Sequence, residues 1–243
     1  MVSKSQLKYI QSLGQKKYRD IEGLFVAEGP KLVKELIESK NVELTQIYAL
    51  SEWIEENKDL LSSSNITAIS ETELERVSQL KTPNKVLAIV KKFEVNEPEI
   101  KKKISVVLDT IQDPGNMGTI IRIADWFGIS QIICSDDCAD LYNSKVVQAT
   151  MGSIARVNVF YTDLPVWFKE LSGIRIYAAM LEGKDVTKMS AIGEGLIIIG
   201  NESMGVDKEL LQFANEKISI PRKGNAESLN AAVATGIILS HLA

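Results

Sequence analysis

The clearest indication of the fold class is the sequence ISVVLDTIQDPGNMGTIIR at residues 104–122. It begins with a short β-branched, apolar run, continues through a polar loop, and ends in a segment whose apolar residues recur at helical spacing. This order predicts a strand, a loop and a helix. Asn116 is expected to cap the helix at its N-terminus, and Gly128 is expected to stop it.

Similar apolar runs follow at regular intervals, separated by helical or loop segments. They lie at residues 131–134, 156–160, 175–179, 196–199 and 217–220. Such alternation predicts an α/β domain with a mainly parallel sheet covered by helices on both faces. Ligands of these sheets usually bind at the carboxyl ends of the strands, so we expect the functional residues there.

The N-terminal part predicts a second, smaller α/β unit. Its expected strands lie at residues 24–27, 46–49, 66–69 and 86–90, and Pro30 suits the first turn of a helix after the first strand. A charge-dense stretch with few apolar residues follows. We therefore predict an N-terminal domain at residues 1–93, a linker at 94–103 and a larger domain at 104–243.

Composition excludes several classes of protein. The 243 residues carry a net charge of −4, so a polyanionic partner must be met by a local patch. The single histidine, His241, rules out histidine-based triads and zinc sites with two histidines, and no metal site is expected. Cys134 and Cys138 are expected to be free thiols. No apolar run is long enough for a membrane span, so a cytoplasmic protein is expected.

Two phosphate-binding fingerprints are missing from the sequence. G-x-G-x-x-G follows none of the predicted strands, and G-x-x-x-x-G-K-[ST] is absent. These absences argue against an NAD enzyme of the usual type and against a P-loop NTPase. The first nineteen residues, in contrast, hold five basic side chains and no acidic one, with Leu7, Ile10 and Leu13 at helical spacing. This basic helical face is either a binding surface or simply a solvated one.

Three polar loops follow predicted strands. In the first loop, Arg122 presents paired donors suited to a phosphate or carboxylate, although exposed helix arginines are also common at ordinary surfaces. In the second, residues 200–207, Glu202 ends an apolar strand and needs a partner, while Asp207 is expected to cap the next helix. In the third, Ser228 is expected to cap a final helix.

That final helix, predicted at residues 229–242, is rich in small side chains. Small residues allow close approach of another element, either within the domain or across a dimer.

The three loops together form an ordered set of motifs. They read N-x-G-x-x-x-R at residues 116–122, G-N-E at 200–202, and I-P at 220–221 with S-L-N at 228–230. This set resembles the SpoU (TrmH-like) branch of the SPOUT RNA methyltransferases, over about residues 104–243. Residues 16–19 and 23–29 resemble the N-terminal substrate-binding domain of two-domain members, which has a ribosomal-protein-like α/β fold.

The resemblance implies a catalytic domain with a C-terminal trefoil knot, a rare exception to the absence of knots in proteins. It implies methyl transfer from S-adenosylmethionine to a ribose 2′-hydroxyl of RNA, in rRNA rather than tRNA, by a homodimer joined through the C-terminal helix. The implied catalytic residues are Asn116, Arg122, Glu202, Ser228 and Asn230. The implied cofactor-binding residues are Met180, Gly200, Asn201, Ile220 and Leu229, and the implied RNA-binding residues are Lys16, Lys17 and Arg19.

The sequence departs from the family pattern at two places. Arg222 stands where many relatives have methionine, and Ala231-Ala232 stand where Val-Ser is usual. Neither difference removes an implied catalytic group. The alternatives are a tRNA-directed methyltransferase and a non-catalytic RNA-binding or ribosome-assembly factor that uses the same surfaces.

Overall fold

The structure is a computed structural model that describes residues 2–61 and 65–243. It divides into two compact units. The first comprises residues 1–94 and 140–155, and the second comprises residues 95–139 and 156–243. Residues 140–155 therefore fold with the first unit, although they follow the first two strands of the larger predicted domain.

The first unit is built on a four-stranded sheet in the order β1-β4-β2-β3, in which only the β2–β3 pair is parallel. Its strands are β1 (Leu24–Glu28), β2 (Leu44–Ala49), β3 (Ile66–Ala68) and β4 (Val86–Lys91). Its helices are α1 (Lys4–Ser12), α2 (Lys16–Glu22), α3 (Pro30–Glu38), α4 (Ser51–Glu56), α5 (Glu71–Val77) and α7 (Ser144–Thr150). All four predicted strands of this unit are present.

The segment 140–155 joins the first unit through both apolar and ionic contacts. The Tyr142 ring packs against Phe25, with ring centroids 4.9 Å apart, and its hydroxyl accepts a hydrogen bond from the Phe93 backbone. Burial raises the pKa of Tyr142 to about 12. Asp140 pairs with Arg19 at 2.5 Å. The first unit thus depends on sixteen residues that lie beyond the predicted linker.

The second unit contains a six-stranded, fully parallel sheet in the order β10-β8-β9-β5-β6-β7. The strands are β5 (Ile104–Leu108), β6 (Gln131–Cys134), β7 (Asn158–Tyr161), β8 (Ile176–Asp185), β9 (Gly195–Ile199) and β10 (Glu216–Ser219). The helices are α6 (Pro114–Trp126), α8 (Leu164–Glu170), α9 (Lys208–Leu211) and α10 (Ala231–Leu242). The predicted α/β class with a parallel sheet is confirmed.

Apolar packing holds this sheet between its helices. Leu164 and Phe168 of α8 and Leu210 of α9 join a buried cluster with strand residues such as Val107 and Ile198. Each fully buried side chain of this size contributes about 1.5–3 kcal/mol relative to exposure. Within the described residues, no helix combines the length and apolar composition that a membrane crossing requires.

Candidate active site

Three side chains from separate strand-end loops meet in a chain of hydrogen bonds, which we call the polar relay: Glu202, Asn116 and Asn230. The Asn116 amide donates from Nδ2 to Glu202 Oε1. Its Oδ1 accepts a hydrogen bond of 2.7 Å from Asn230 Nδ2. The Asn230 Oδ1 accepts in turn from the backbone N–H groups of Ala232 and Val233, at 3.0 and 3.2 Å. The relay therefore runs from a carboxylate to the N-terminus of α10.

The order of the strands brings the relay together. Asn116 lies in the first turn of α6 after β5, and Glu202 follows β9, which pairs directly with β5. Asn230 lies after β10, at the end of an exposed loop formed by residues 221–229. Because all strands of this sheet are parallel, their carboxyl ends lie at one edge, as expected for a ligand site in such a fold.

Two predicted helix caps are wrong. Asp113, and not Asn116, caps α6, and its carboxylate accepts a 2.8 Å hydrogen bond from the Asn116 backbone. Asn230, and not Ser228, caps α10, which begins at Ala231 instead of residue 229. The correction matters for the site, because the Asn116 side chain is left free to bind Glu202. The predicted Asp207 cap of α9 and the stop at Gly128, with φ +72°, are confirmed.

Arg122 and Ser228 stand apart from the relay. Arg122 is exposed on α6, six residues or about 9 Å along the helix from Asn116. Within residues 2–61 and 65–243, no hydrogen-bond or ion-pair partner is found for its guanidinium or for the Ser228 hydroxyl. Both groups are therefore available to a ligand.

The edge of the sheet near β8 and β10 has an irregular backbone. Ala178 of β8 pairs with Lys217, but the next residue of β10, Ile218, pairs with Lys184. Residues 179–183 thus leave the ladder, and a Cβ at Gly183 would lie 2.6 Å from the Lys217 carbonyl oxygen. The sequence predicted a strand at residues 175–179 and contained no signal for this excursion.

Gly200 ends β9 at a very close backbone approach. A Cβ there would lie 2.2 Å from the Gly205 carbonyl carbon and 2.3 Å from the Val206 nitrogen. Only glycine fits such a turn without displacing the neighbouring backbone.

The other residues implied to bind the cofactor differ in how far their side chains are free to contact a ligand. Leu229 is 45% exposed, and Ile220 is half-buried. The Met180 side chain packs against the apolar core of the second unit. The Asn201 amide is used within the protein, because its Nδ2 donates to the Thr110 carbonyl oxygen at 2.9 Å and its Oδ1 accepts from the Ser203 backbone at 2.8 Å.

Sequence reasoning missed Asp109, which lies buried directly after β5. Its carboxylate accepts hydrogen bonds from the Asp207 backbone at 2.7 Å and from the Thr110 hydroxyl at 3.0 Å. Burial raises the pKa of Asp109, and these two hydrogen bonds oppose the rise. An acidic residue at the end of an apolar strand, the signal that singled out Glu202, could have identified it.

The basic N-terminal segment forms α1 and α2, and its residues have different environments. Lys16 and Lys17 are exposed, whereas Arg19 is only 3% exposed. The Arg19 guanidinium donates to the carbonyl oxygens of Leu13 and Gly14 and pairs with Asp140. The prediction that Arg19 belongs to an exposed RNA-binding face is therefore wrong, because its side chain is buried and its charge is neutralised by Asp140 within the first unit.

Two known families match successive parts of the chain. Residues 103–240 match the SpoU rRNA Methylase family, and residues 4–88 match the MRM3-like substrate binding domain. A solved structure of similar fold is the AdoMet-bound rRNA methyltransferase from Sinorhizobium meliloti. It is 29% identical with a TM-score of 0.84, over 99% of this chain and 95% of that chain.

Two curated relatives are similar to this chain over most of their own length. The 23S rRNA (guanosine(2553)-2′-O)-methyltransferase RlmP of Bacillus subtilis is 32% identical over 96% of this chain and 93% of its own. The 23S rRNA (uridine(2479)-2′-O)-methyltransferase of Streptomyces viridochromogenes is 27% identical over 93% and 85%. With more than half of its residues matched to one family and a relative this similar, the chain belongs to the SpoU rRNA methylase family.

Proposed function

We propose that this protein transfers the methyl group of S-adenosylmethionine to a ribose 2′-hydroxyl of ribosomal RNA. The observation that carries the proposal is the polar relay, which unites one residue from each of the three family motifs. Arg122 of the first motif is exposed, and among the described residues it has no hydrogen-bond or ion-pair partner. The B. subtilis and S. viridochromogenes relatives are named 2′-O-methyltransferases of 23S rRNA. They act on different nucleotides, so their names support the reaction but not a particular target nucleotide.

The loops at the sheet edge suit S-adenosylmethionine. Among the described residues, no backbone N–H of residues 222–229 donates a hydrogen bond, and the whole loop is exposed. Unpaired peptide groups next to the apolar Ile220 and Leu229 side chains fit a nucleoside that is recognised by its edges and its flat faces. Gly200, Ile220 and Leu229 would hold the group, while Met180 would contribute only as core support.

When bound, the cofactor supplies an activated methyl group on a sulfonium, and the protein must align a poor nucleophile with it. The Arg122 guanidinium offers hydrogen-bond donors and no acceptor, so we assign it no role as a general base. Its role is to anchor a phosphate and to stabilise the negative charge that develops on the ribose oxygen. Glu202 fixes the orientation of Asn116, and each asparagine of the relay retains a second amide N–H for the substrate.

The first unit is proposed to bind the RNA through α1 and α2. The acidic groups close to Lys16 and Lys17 are already engaged, because Asp20 pairs with Lys92 at 2.5 Å and Glu22 accepts from Tyr9 at 3.2 Å. Among the described residues, no ion pair is found for either lysine. Their charge is therefore left for phosphates. Neutralising both lysines should lower the slope of log affinity against log salt by about 2.

We further propose that the segment from β8 to α10 is knotted and that the protein works as a cytoplasmic homodimer joined through α10. The close crossing of Gly183 by β10 supports the knot. The exposed Val233 on α10 and Trp126 on α6, which is 84% exposed, support the dimer, since burial of such side chains on association is favourable. Residues 1–93 are proposed to bind substrate and residues 104–243 to catalyse, apart from the segment 140–155, which folds with the first unit.

A methyl-transfer assay tests the proposed function. Labelled S-adenosylmethionine is incubated with the protein and with either a 23S rRNA transcript or a tRNA transcript. We expect label in the rRNA, and a loss of about 10²–10³-fold in Arg122→Ala without loss of folding, because Arg122 is exposed. Arg122→Lys is the matched control, since it keeps the charge and loses the fork. Label in tRNA alone, or cofactor binding without transfer to any RNA, would overturn the proposal in favour of the alternatives.

A further inference from the structure

Thr110, between β5 and the first motif, has an unusual backbone conformation. Its φ is +58°, in the left-handed region, where a β-branched residue is a genuine outlier. Strained residues of this kind persist only when the surrounding structure holds them in place.

Hydrogen bonds from three directions fix this residue. Its backbone N–H donates to the Ser135 hydroxyl at 2.8 Å, and its own hydroxyl donates to Asp109 at 3.0 Å. Its carbonyl oxygen accepts from Asn201 Nδ2 at 2.9 Å. The first two bonds involve the residues that directly follow β6 and β5. The bond from Asn201 connects Thr110 to the loop that carries Glu202.

Asn201 also determines the shape of its own loop. Its Oδ1 accepts from the Ser203 N–H at 2.8 Å, and its carbonyl oxygen accepts from the Gly205 N–H at 2.8 Å. Residues 201–205 therefore form a tight turn with Glu202 near its start. The two ends of the Asn201 amide have different roles. The oxygen accepts the hydrogen bond that closes the turn, and the nitrogen donates the hydrogen bond that links the turn to Thr110.

We propose that Asn201 is a positioning residue that places Glu202 within reach of Asn116, and that its side chain does not bind the cofactor. Both ends of its amide are engaged within the protein, since the oxygen accepts from the Ser203 backbone and one N–H of the nitrogen donates to Thr110. The inference rests on the proposed function, since it assigns Asn201 a role in that same site. It replaces the cofactor-binding role that the family resemblance implies for this side chain.

Asn201→Asp separates the two roles of the amide. The variant keeps the oxygen that closes the turn on Ser203, but it loses the N–H that reaches Thr110 and places a negative charge against a carbonyl oxygen. We expect kcat for methyl transfer to fall about 100-fold, because small misplacements of reacting groups reduce rates by about this factor. The Kd for S-adenosylmethionine should stay within about threefold of the wild-type value, well under the tenfold that 1.4 kcal/mol represents. Ser203→Ala is the matched control, because only its backbone takes part, and it should keep the wild-type kcat.

The pH profile supplies a readout that a purely structural defect would not give. A protonated aspartic acid can again donate to the Thr110 carbonyl, so the kcat of Asn201→Asp relative to wild type should rise as the pH falls. Asn201→Ala, which cannot donate, should show no such rise. The acidic groups in the turn or close to Asp109 are Glu202, Asp109, Asp207 and Asp137, and nearby negative charge opposes ionisation of a new carboxyl. Wild type contains the same four groups. Dividing the kcat of Asn201→Asp by that of wild type at each pH therefore cancels the pH dependence that is common to both enzymes.

Hydrogen exchange separates failure of this inference from failure of the proposed function. In wild-type protein, amides of residues 203–206 should exchange at least about tenfold more slowly than in Asn201→Asp, whether or not any RNA is methylated. If Asn201→Asp does not fold, Asn201→Ser, which is too short to reach Thr110, takes its place in both assays. Unchanged exchange and kcat, or a loss confined to cofactor affinity, would overturn the inference.

Discussion

Asn230 offers the clearest test of the polar relay, because it has two separable functions. Its Oδ1 caps α10 through two backbone N–H groups, and its Nδ2 donates to Asn116 at 2.7 Å. Aspartate is as good a cap as asparagine. It cannot donate to Asn116, however, so Asn230→Asp keeps the cap and breaks the relay. Asn230→Ala loses both functions and serves as its counterpart.

The two variants should differ in stability and agree in activity. Asn230→Asp should keep the free energy of unfolding within about 0.5 kcal/mol of wild type, and its charge near the N-terminus of α10 adds a small favourable contribution. Asn230→Ala should lose about 1 kcal/mol, or about 2–4 °C in Tm. Both should lose about 100-fold in methyl transfer, equivalent to about 2.7 kcal/mol of transition-state stabilisation.

Urea denaturation and single-turnover methyl transfer on a 23S rRNA transcript measure these two quantities separately. If Asn230→Asp methylated RNA at nearly the wild-type rate, the donation to Asn116 would have no catalytic role. If it lost as much stability as Asn230→Ala, the cap would not be the structural function of Asn230.

Other positions carry independent expectations. Gly200→Ala should destabilise the protein by about 1–3 kcal/mol and weaken cofactor binding in calorimetric titration, because its Cβ would overlap the Gly205 backbone; native affinity would refute the close approach. Arg19→Met should lower the free energy of unfolding, measured by urea denaturation, by about 3 kcal/mol, because it leaves Asp140 without its charge partner. A loss below about 1 kcal/mol would mean that this pair contributes no more than an ordinary surface salt bridge. Burial raises the pKa of Glu28, so the folded state binds more protons than the unfolded state above pH 4.5 and stability falls as pH rises there. In Glu28→Gln, the free energy of unfolding should fall less steeply with rising pH than in wild type. Identical slopes in the two proteins would contradict this expectation.

Much of the fold could be predicted from local pattern. Five of the six strands of the second unit begin within two residues of their apolar runs and end close to them, because short β-branched runs between polar loops have few alternatives in a buried parallel sheet. The exception is β8, which extends to Asp185 and leaves its ladder at residues 179–183. Its irregularity depends on how β10 passes Gly183, which is a contact between distant parts of the chain.

The caps show where local reasoning stops. Both loops contain two good capping residues a few positions apart, Asp113 and Asn116 in one and Ser228 and Asn230 in the other. Propensity alone does not choose between them. In each loop the relay takes one asparagine: Asn116 is free because Asp113 caps α6, and Asn230 caps α10 with one end of its amide and binds Asn116 with the other.

Arg19 shows a different limit. Lys16 and Lys17 lie two and three residues before it, and its basic charge looks no different from theirs in the sequence. Its partner, Asp140, lies 121 residues away in a segment expected to belong to the other domain. A charge pattern predicts a basic face, but only tertiary structure decides which of its charges are already neutralised.

The position of the transferred methyl group distinguishes methylation of the ribose from methylation of a base. After incubation with labelled S-adenosylmethionine, the 23S rRNA transcript is hydrolysed with alkali, which needs a free 2′-hydroxyl next to each phosphate that it cleaves. A ribose methyl blocks this cleavage, so we expect the label in alkali-stable dinucleotides, with almost none from Arg122→Ala. Label in mononucleotides would mean methylation of a base and would refute ribose methylation.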